Sequence, residues 1–123
     1  MAEDNPINQR VGMLILQRAG FAIDVVSDGV EAVQAHTADP YDVILMDCQM
    51  PAMDGFEASR HIRSLESKQP VIIAVTANAL AGERERCLQA GMDDYLSKPF
   101  QAEQLVAVVK KWTSSDSAAA ASR

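Results

Sequence analysis

Side chains suited to phosphate or metal chemistry stand at the ends of several predicted strands. Two of these strands are fully apolar runs, at 43–46 and 71–75, and each is followed at once by a polar residue. In a parallel sheet flanked by helices, ligands bind beyond the carboxyl ends of the strands. The predicted strand ends therefore deliver carboxylates, a hydroxyl and an ammonium group to one edge, namely Glu3 and Asp4, Asp47, Thr76, and Lys98.

The chemistry of such an edge is limited by its charge. Three carboxylates brought together repel one another, and a divalent cation is an economical compensation. Oxygen-only ligands favour magnesium or calcium over zinc, and magnesium takes only one or two carboxylates directly. Lys98 and the hydroxyl of Thr76 are suited to hold phosphoryl oxygens. Asp47 is suited to act as a nucleophile toward phosphorus. The residues alone thus predict metal-assisted phosphoryl transfer.

The elements that position these residues alternate between helical and strand patterns. Asn5-Pro6 predicts a cap and a first helical turn, and Ala90-Gly91 predicts the end of the fourth helix. The pattern predicts helices at about 7–18, 30–38, 56–65, 79–90 and 105–112, and strands at 21–26, 43–46, 71–75 and 93–97. This alternation predicts an α/β fold in which helices cover both faces of a parallel sheet.

Length, charge and composition exclude several classes of protein. The 123 residues predict one domain, over residues 1–113, followed by a low-complexity tail or linker over residues 114–123. The net charge of −6 argues against nucleic-acid binding, and no apolar run is long enough for a membrane span. The start lacks the pattern of a signal peptide. We expect no direct membrane contact by this domain and a cytoplasmic location, which leaves open a membrane anchor elsewhere in a parent protein. The two cysteines, Cys48 and Cys87, form no C-x-x-C motif, and we expect Cys48 to be a small buried core residue.

Four segments together resemble the response-regulator receiver domains of two-component signalling. They are Glu3-Asp4-Asn5-Pro6, Leu45-Met46-Asp47-Cys48-Gln49-Met50-Pro51-Ala52-Met53-Asp54-Gly55, Val75-Thr76-Ala77-Asn78-Ala79-Leu80 and Tyr95-Leu96-Ser97-Lys98-Pro99-Phe100. These segments occur in the order and spacing of the family. The resemblance as a whole covers the chain from Glu3 to about Trp112. The sequence around Asp47 most resembles that of receivers attached to hybrid sensor histidine kinases.

The resemblance implies a role for each acidic residue. Asp47 would accept a phosphoryl group from a phosphohistidine on a histidine kinase or a histidine phosphotransfer domain. Asp4 and Asp47 would bind magnesium directly, with the backbone carbonyl of Gln49 as a third protein ligand. Glu3 would act on the metal mainly through water.

The resemblance also implies a conformational switch. Lys98 would contact the phosphoryl oxygens and hold the carboxylates, and a cis peptide is expected between Lys98 and Pro99. Thr76 would move toward the phosphoryl group, and Tyr95 would rotate inward behind it. The expected fold is a flavodoxin-like, doubly wound, five-stranded parallel sheet with strand order 2-1-3-4-5.

The sequence departs from the family at its first strand. Only Met1 and Ala2 precede Glu3, where the family has four or five apolar residues. Either the sequence is truncated there or another segment fills the slot. We expect residues 1–4 to form a shortened strand in a weakened monomer, or chains to exchange segments in a homodimer.

Two other interpretations of the site stay open. One is a small aspartate-nucleophile phosphatase of the haloacid-dehalogenase type, although that class resembles Asp-x-Asp and this chain has Asp47-Cys48-Gln49. The other is a degenerate receiver used only as a docking surface, which the presence of the acids, hydroxyl and lysine disfavours. Whether the chain counts as an enzyme is left open, because a receiver catalyses only its own phosphorylation and slow hydrolysis. His36 and His61 lack a ligand partner at metal spacing, and we expect both to be solvated.

Overall fold

The computed structural model describes residues 1–48, 50, 53–65, 69–77, 81–98 and 100–113. Within these residues the chain forms five helices and three strands. In chain order they are α1 (Pro6–Arg18), α2 (Gly29–Ala38), β1 (Val43–Asp47), α3 (Gly55–Ser64), β2 (Val71–Thr76), α4 (Ala81–Gln89), β3 (Asp94–Ser97) and α5 (Ala102–Thr113). The alternation of helices and strands confirms the predicted α/β class. The expected tail, 114–123, lies outside the described residues.

The three strands form one parallel sheet in the order β1-β2-β3. Asp47 pairs with Val75 across β1 and β2, and Thr76 pairs with Ser97 across β2 and β3. The carboxyl ends of all three strands therefore lie side by side at one edge. Because parallel neighbours run in the same direction, the residues that follow these strands are brought together.

Ala2 occupies the place of the expected first strand. It forms parallel bridges with Val26 on one side and Met46 on the other. The expected strand at 21–26 is reduced to the bridge at Val26. The physical reason is that the neighbouring first strand is short. Only the first few residues of the chain can pair with the segment at 21–26. The order 2-1-3-4-5 is thus visible as Val26, Ala2, β1, β2 and β3.

The sheet carries a hydrophobic core on each face. Along β1 and β2 the side chains alternate between the two cores. The first core contains Ile44 and Met46 from β1 and Ile72 and Ala74 from β2, packed with buried residues of α2, α3 and α4. The second contains Leu45, Ile73 and Val75, packed with residues of α1 and α5 and, at its margin, Trp112. Burial on both faces explains why these strands are apolar runs, and it is the doubly wound arrangement that the sequence predicts.

Polar side chains cap the amino termini of three helices. The side chain of Asn5 accepts bonds from Ile7 N and Asn8 N at the start of α1. Asp28 and Asp54 accept bonds from the third residue of α2 and of α3, respectively. Each capped start fixes the point at which a loop from the sheet edge turns into a helix.

Helix α1 leaves a row of apolar side chains exposed. Ile7, Val11 and Leu14 are exposed, whereas Gly12 and Leu16 form its buried positions. Of the helices in the part of the chain that the structure describes, α1 is the longest, with 13 residues. Among the described residues, no helix has both the length and the apolar character needed to cross a membrane.

The expectation that both histidines are solvated is wrong for His36. Its side chain is fully buried, and its Nδ1 atom accepts a hydrogen bond of 3.1 Å from the backbone N of Tyr41. The segment between α2 and β1 folds back over the helix end and covers the imidazole, which helical periodicity does not reveal. His61 is exposed on α3, as expected. Cys48 is buried, as expected, at 2% exposure.

Candidate functional site

Asp47 ends β1 at the centre of the sheet edge. Its backbone N donates a 3.1 Å bond to Ala2 O, which places it beside the chain start. The residue is buried, with 6% exposure. The next residue, Cys48, donates from its backbone N to Val75 O at 3.0 Å. These bonds hold the Asp47 carboxylate at the point where β1 leaves the sheet.

Glu3 lies beside Asp47, and its side chain is buried. Its backbone N donates a 3.0 Å bond to Val26 O. Its Oε2 atom accepts a 3.1 Å bond from the backbone N of Asn5. Gln9 donates from its side-chain amide to the Glu3 carbonyl, a contact that the sequence did not indicate because nothing in a helical glutamine marks its partner. The segment from Glu3 to Asn5 is thus fixed to the start of α1.

Lys98 joins the two buried carboxylates. Its Nζ atom lies 2.9 Å from Glu3 Oε1 and 3.1 Å from Asp47 Oδ2. Its backbone N donates a 2.7 Å bond to Thr76 O, which fixes the residue beyond the end of β2. Burial lowers the pKa of the Lys98 ammonium, but the bonds to Glu3 and Asp47 outweigh it, and the pKa lies above its usual value. The ammonium therefore stays charged at neutral pH.

The three carboxylates form a compact cluster of oxygen donors. One oxygen each from Glu3, Asp4 and Asp47 lies within 4.8 Å of the others. Glu3 and Asp47 are buried, whereas Asp4 is exposed. Three carboxylates share the ammonium of Lys98 among the described residues, so the cluster favours a further cation. An all-oxygen set with an exposed member fits magnesium, which retains several waters when it binds.

Thr76 and Tyr95 lie on β2 and β3, the two strands that follow β1 in the sheet. Thr76 ends β2 and is buried with 4% exposure. Tyr95 pairs with Ala74 on β3 and is half-buried. The guanidinium carbon of Arg84, on α4, lies 5.6 Å from the centroid of the Tyr95 ring. The structure thus brings Thr76 to the sheet edge and places Tyr95 under α4.

Gly55 also belongs to this site, although the sequence analysis named it only as the last residue of the segment that contains Asp47. A Cβ atom at Gly55 would lie 2.3 Å from Asp47 O and 3.0 Å from Cys48 Cα. Its backbone N donates a 3.2 Å bond to Cys48 O. Only a glycine lets the start of α3 approach the backbone of Asp47 this closely. The Asp-Gly pair at 54–55 was the available signal, because it combines a helix cap with a residue lacking a side chain.

Two expectations concern positions for which no structure is described. Gln49, the expected third metal ligand, lies outside the described residues. The same holds for Pro99, and hence for the expected cis peptide after Lys98. Of the expected site, the structure brings together Glu3, Asp4, Asp47 and Lys98, with Thr76 at the same edge.

Residues 1–110 match the family model described as "Response regulator receiver domain". The chain belongs to the response regulator receiver domain family. As a receiver domain it is 43% identical, over 90% of its length, to the sensor histidine kinase GacS of Pseudomonas protegens. It covers 12% of that protein, and it spans 6–14% of the length of its curated relatives, several of which are hybrid histidine kinases of Dictyostelium discoideum.

Solved receiver domains share the fold. The receiver domain of sensor histidine kinase PA1611 from Pseudomonas aeruginosa PAO1 has a TM-score of 0.84 and 48% identity, covering 90% of this chain and 92% of its own. That structure has a magnesium ion coordinated in the active-site cleft. The receiver domain of Ssk1 from Saccharomyces cerevisiae, crystallised with the histidine phosphotransfer protein Ypd1, has a TM-score of 0.84 and 28% identity, with 90% and 84% coverage. The fold is therefore the flavodoxin-like receiver fold.

Proposed function

We propose that this receiver domain takes a phosphoryl group from a phosphohistidine onto Asp47. An Oδ atom of Asp47 attacks phosphorus, the P–N bond breaks, and the electron pair of that bond leaves with the imidazole. The observation that carries this proposal is the position of Lys98, whose ammonium bridges Asp47 and Glu3 at the carboxyl ends of the strands. We assign this role to a domain of residues 1–113, with 114–123 as a tail or linker.

Lys98 and Thr76 would stabilise the transferred group. Phosphoryl transfer is catalysed mainly by positioning and by neutralising charge on the oxygens of phosphorus. Lys98 Nζ already lies within hydrogen-bond distance of the attacking carboxylate. After transfer it can therefore bond an oxygen of the phosphoryl group that Asp47 carries. The Thr76 hydroxyl, one strand away, supplies a second donor.

Asp4 and Asp47 would hold the metal directly, with the carbonyl of Gln49 as third protein ligand and Glu3 acting through water. The donor cluster supports this proposal, and so does the magnesium in the PA1611 receiver domain. Magnesium, when bound, supplies positive charge beside the attacking carboxylate and the phosphoryl oxygens. Glu3 would keep Lys98 oriented when Asp47 binds the metal, because the Oε1 atom of Glu3 already accepts a bond from that ammonium.

The phosphohistidine would come from a histidine kinase or a histidine phosphotransfer domain. The complex of Ypd1 with a related receiver domain supports a phosphotransfer partner, and the hybrid kinases among the relatives support a kinase. The alternative of a small aspartate-nucleophile phosphatase is not favoured, because the family match covers 1–110 and the second aspartate of that class is absent.

Asp47→Asn should abolish phosphorylation. Phosphoramidate has a P–N bond like that of phosphohistidine, and with magnesium it should add one phosphoryl group to the parent chain. The amide of the variant is not a nucleophile toward phosphorus, so intact-mass measurement should show no adduct, with this donor or with a phosphorylated phosphotransfer domain. Asp54→Asn is the matched control, since asparagine caps helices as well as aspartate does. An undiminished adduct on Asp47→Asn would overturn the proposal.

Asp4→Ala should weaken magnesium binding strongly. The substitution removes one of three clustered carboxylates, and the exposed position of Asp4 makes a folding defect small. Calorimetric titration of the parent should also show affinity falling as pH drops through the carboxylate range, since the ligands must be deprotonated. Glu103→Gln, which removes an exposed acid on α5, is the control. Parent-like affinity in Asp4→Ala would contradict the assignment of Asp4.

Thr76 and Tyr95 would couple phosphorylation to the face made by α4, β3 and α5. Thr76 would move toward the phosphoryl group, and Tyr95 would turn inward from beneath Arg84. A ligand shifts such an equilibrium only by making different contacts in the two states. The proposed difference is the bond from the Thr76 hydroxyl to the phosphoryl group.

Thr76→Ala should still accept the phosphoryl group but lose most of its effect on this face. The variant retains Asp47 and Lys98, so a small phosphodonor should modify it, though more slowly. Its amide chemical shifts over residues 81–112 should change much less on phosphorylation than those of the parent. Thr37→Ala, on the exposed side of α2, should behave as the parent does. Parent-like shifts in Thr76→Ala would refute the coupling.

A further inference from the structure

The segment that carries Asp4 has less support from the sheet than the strand ends beside it. Asp47 ends a strand of five residues, and Thr76 ends a strand of six residues. Asp4 instead follows a single bridging residue, Ala2, with only Glu3 between them. Asp4 is also exposed, so burial does not fix its carboxylate. The place of Asp4 in the cluster therefore depends on contacts that hold the backbone on either side of it.

Gln9 holds the backbone on both sides of Asp4. It is the fourth residue of α1, and its backbone N donates a 2.9 Å bond to Asn5 O. Its side-chain Nε2 atom reaches back past the first turn of the helix and donates to Glu3 O. Long helical side chains point toward the amino terminus of their helix, which is the direction that this contact needs. The carbonyls of both sequence neighbours of Asp4 thus accept hydrogen bonds from one residue.

The bond to the Glu3 carbonyl bears directly on the orientation of Asp4. This carbonyl belongs to the planar peptide unit that joins Glu3 to Asp4. A hydrogen bond to its oxygen limits the rotation of that plane, and so it sets the direction in which the Cα atom of Asp4 leaves the plane. The Asp4 carboxylate has an oxygen within 4.8 Å of oxygens of Glu3 and Asp47, and a rotated plane would carry it away from them.

The amide of Gln9 is itself held by a second segment of the chain. Its Nε2 atom carries two hydrogens and also donates to Ser27 Oγ, at 3.3 Å. Ser27 is fixed in turn, because its backbone N donates a 2.7 Å bond to Oε1 of Glu31 on α2. A carbonyl oxygen only accepts hydrogen bonds, so the NH2 end of the amide must face Glu3. A side chain without a donor could make neither contact.

We propose that Gln9 is a positioning residue for the magnesium site, and that it acts by holding Asp4 in the geometry that binds the metal. The inference rests on the proposed role of Asp4 as a ligand. Without the amide of Gln9, the peptide between Glu3 and Asp4 would rotate more freely, and Asp4 would be in place in only a fraction of the chains. The apparent affinity for the metal falls in proportion to that fraction. Asp47 is held by β1, so its reactivity at saturating magnesium should not change.

Gln9→Met tests the proposal, because methionine is of similar length and forms helices well but donates no hydrogen bond. Calorimetric titration of the full 123-residue chain with magnesium chloride should give an affinity about 3–10-fold weaker than that of the parent, which is the effect of one hydrogen bond. The magnesium concentration for half-maximal phosphorylation by phosphoramidate should rise by the same factor, while the rate at saturating magnesium stays that of the parent. Gln17→Met, at an exposed position of α1, is the matched control. Parent-like affinity in Gln9→Met, or an equal loss in Gln17→Met, would overturn the proposal.

A double substitution separates the positioning of Asp4 from a general loss of structure. In the Asp4→Ala chain there is no carboxylate to position, so adding Gln9→Met should weaken magnesium binding no further. Amide chemical shifts measure the affinity when binding is weak. The same 3–10-fold loss in the Asp4→Ala chain, about as large as in the parent, would mean that Gln9 acts on the fold and not on Asp4.

The parent chain allows a measurement that needs no variant. The side-chain amide protons of Gln9 should change chemical shift when magnesium is added, because their acceptor is the carbonyl next to Asp4. Those of Gln17 should not change. Side-chain amide protons of Gln9 that stay unmoved at saturating magnesium would contradict the proposal.

The outcomes also distinguish the positioning role from the proposed function. If Gln9→Met loses affinity as predicted but the parent accepts no phosphoryl group, the proposed phosphoryl transfer fails and the positioning role stands. If the parent is phosphorylated and Asp4→Ala loses affinity but Gln9→Met does not, the positioning role fails and the proposed function stands. Parent-like affinity in Asp4→Ala would remove both the assignment of Asp4 as a ligand and the role given to Gln9.

Discussion

Lys98→Met should slow phosphorylation by a small phosphodonor by about 100-fold or more. Removing one donor that stabilises developing negative charge typically costs enzymes ~100–1,000-fold in rate. The Lys98 ammonium is the cation that bridges Asp47 and Glu3, and methionine keeps its length without the charge. The variant should be assayed by the rate at which the intact mass of the chain gains one phosphoryl group.

The same substitution should also lower stability, because the Glu3 side chain is 2% exposed and would lose its ammonium partner. Breaking a buried pair costs ~3–5 kcal/mol, and the partial exposure of Lys98 reduces that to about 2 kcal/mol. Lys111→Met is the matched control, since Lys111 pairs with Asp94 at 3.2 Å but is itself exposed. Lys98→Met phosphorylated at the parent rate would contradict the role given to Lys98.

The pH dependence of this pairing has a definite sign. The pKa of Lys98 is raised above its usual value of 10.5. A base with a raised folded-state pKa contributes stability that is complete below its unfolded-state pKa and is lost as pH rises through the folded-state pKa. The difference in stability between the parent and Lys98→Met should therefore shrink only in alkaline solution, above about pH 10. Denaturant midpoints measured at neutral and alkaline pH check this sign.

Gly55→Ala should destabilise the domain by about 2–4 kcal/mol. The added methyl group would lie 2.3 Å from Asp47 O, a contact with backbone that no side-chain rotation can relieve. Overpacking usually costs ~1–3 kcal/mol, and a backbone clash on two chain segments belongs at the upper end or beyond. The denaturant midpoint measures this loss, and it is large beside a total stability of ~5–15 kcal/mol.

Gly82→Ala provides the matched control for the glycine prediction. A Cβ at Gly82, in the first turn of α4, meets no atom within 4 Å. Alanine is the better helix former, so this variant should be as stable as the parent or slightly more stable. Equal midpoints for Gly55→Ala and the parent would show that α3 can withdraw from Asp47 at little cost.

The placement of the site could be predicted because it follows from sheet topology. Asp47, Thr76 and Lys98 each follow a strand-like run, and parallel strands bring their carboxyl ends to one edge. Two apolar runs identified the central strands, because a strand buried on both faces has no polar positions. Local sequence was therefore enough to predict that these residues, distant in sequence, lie in one cluster.

Features that depend on tertiary approach could not be predicted in this way. The burial of His36 arises because Tyr41 folds over it, and the need for glycine at position 55 arises from the backbone of Asp47. Apolar spacing in α1 also gave no measure of burial, since Val11 is exposed while Leu16 is buried. In each case the deciding neighbour comes from packing, which the periodicity of one segment does not contain.

Locating the phosphoryl group in the parent chain is the sharpest test of Asp47 as the phosphoacceptor. After treatment with phosphoramidate and magnesium, borohydride reduction converts an acyl phosphate of aspartate into homoserine, which peptide mass spectrometry locates. We predict homoserine at position 47 and at no other aspartate. Homoserine at Asp4 or Asp54, or a phosphoryl group retained on a histidine, would contradict it.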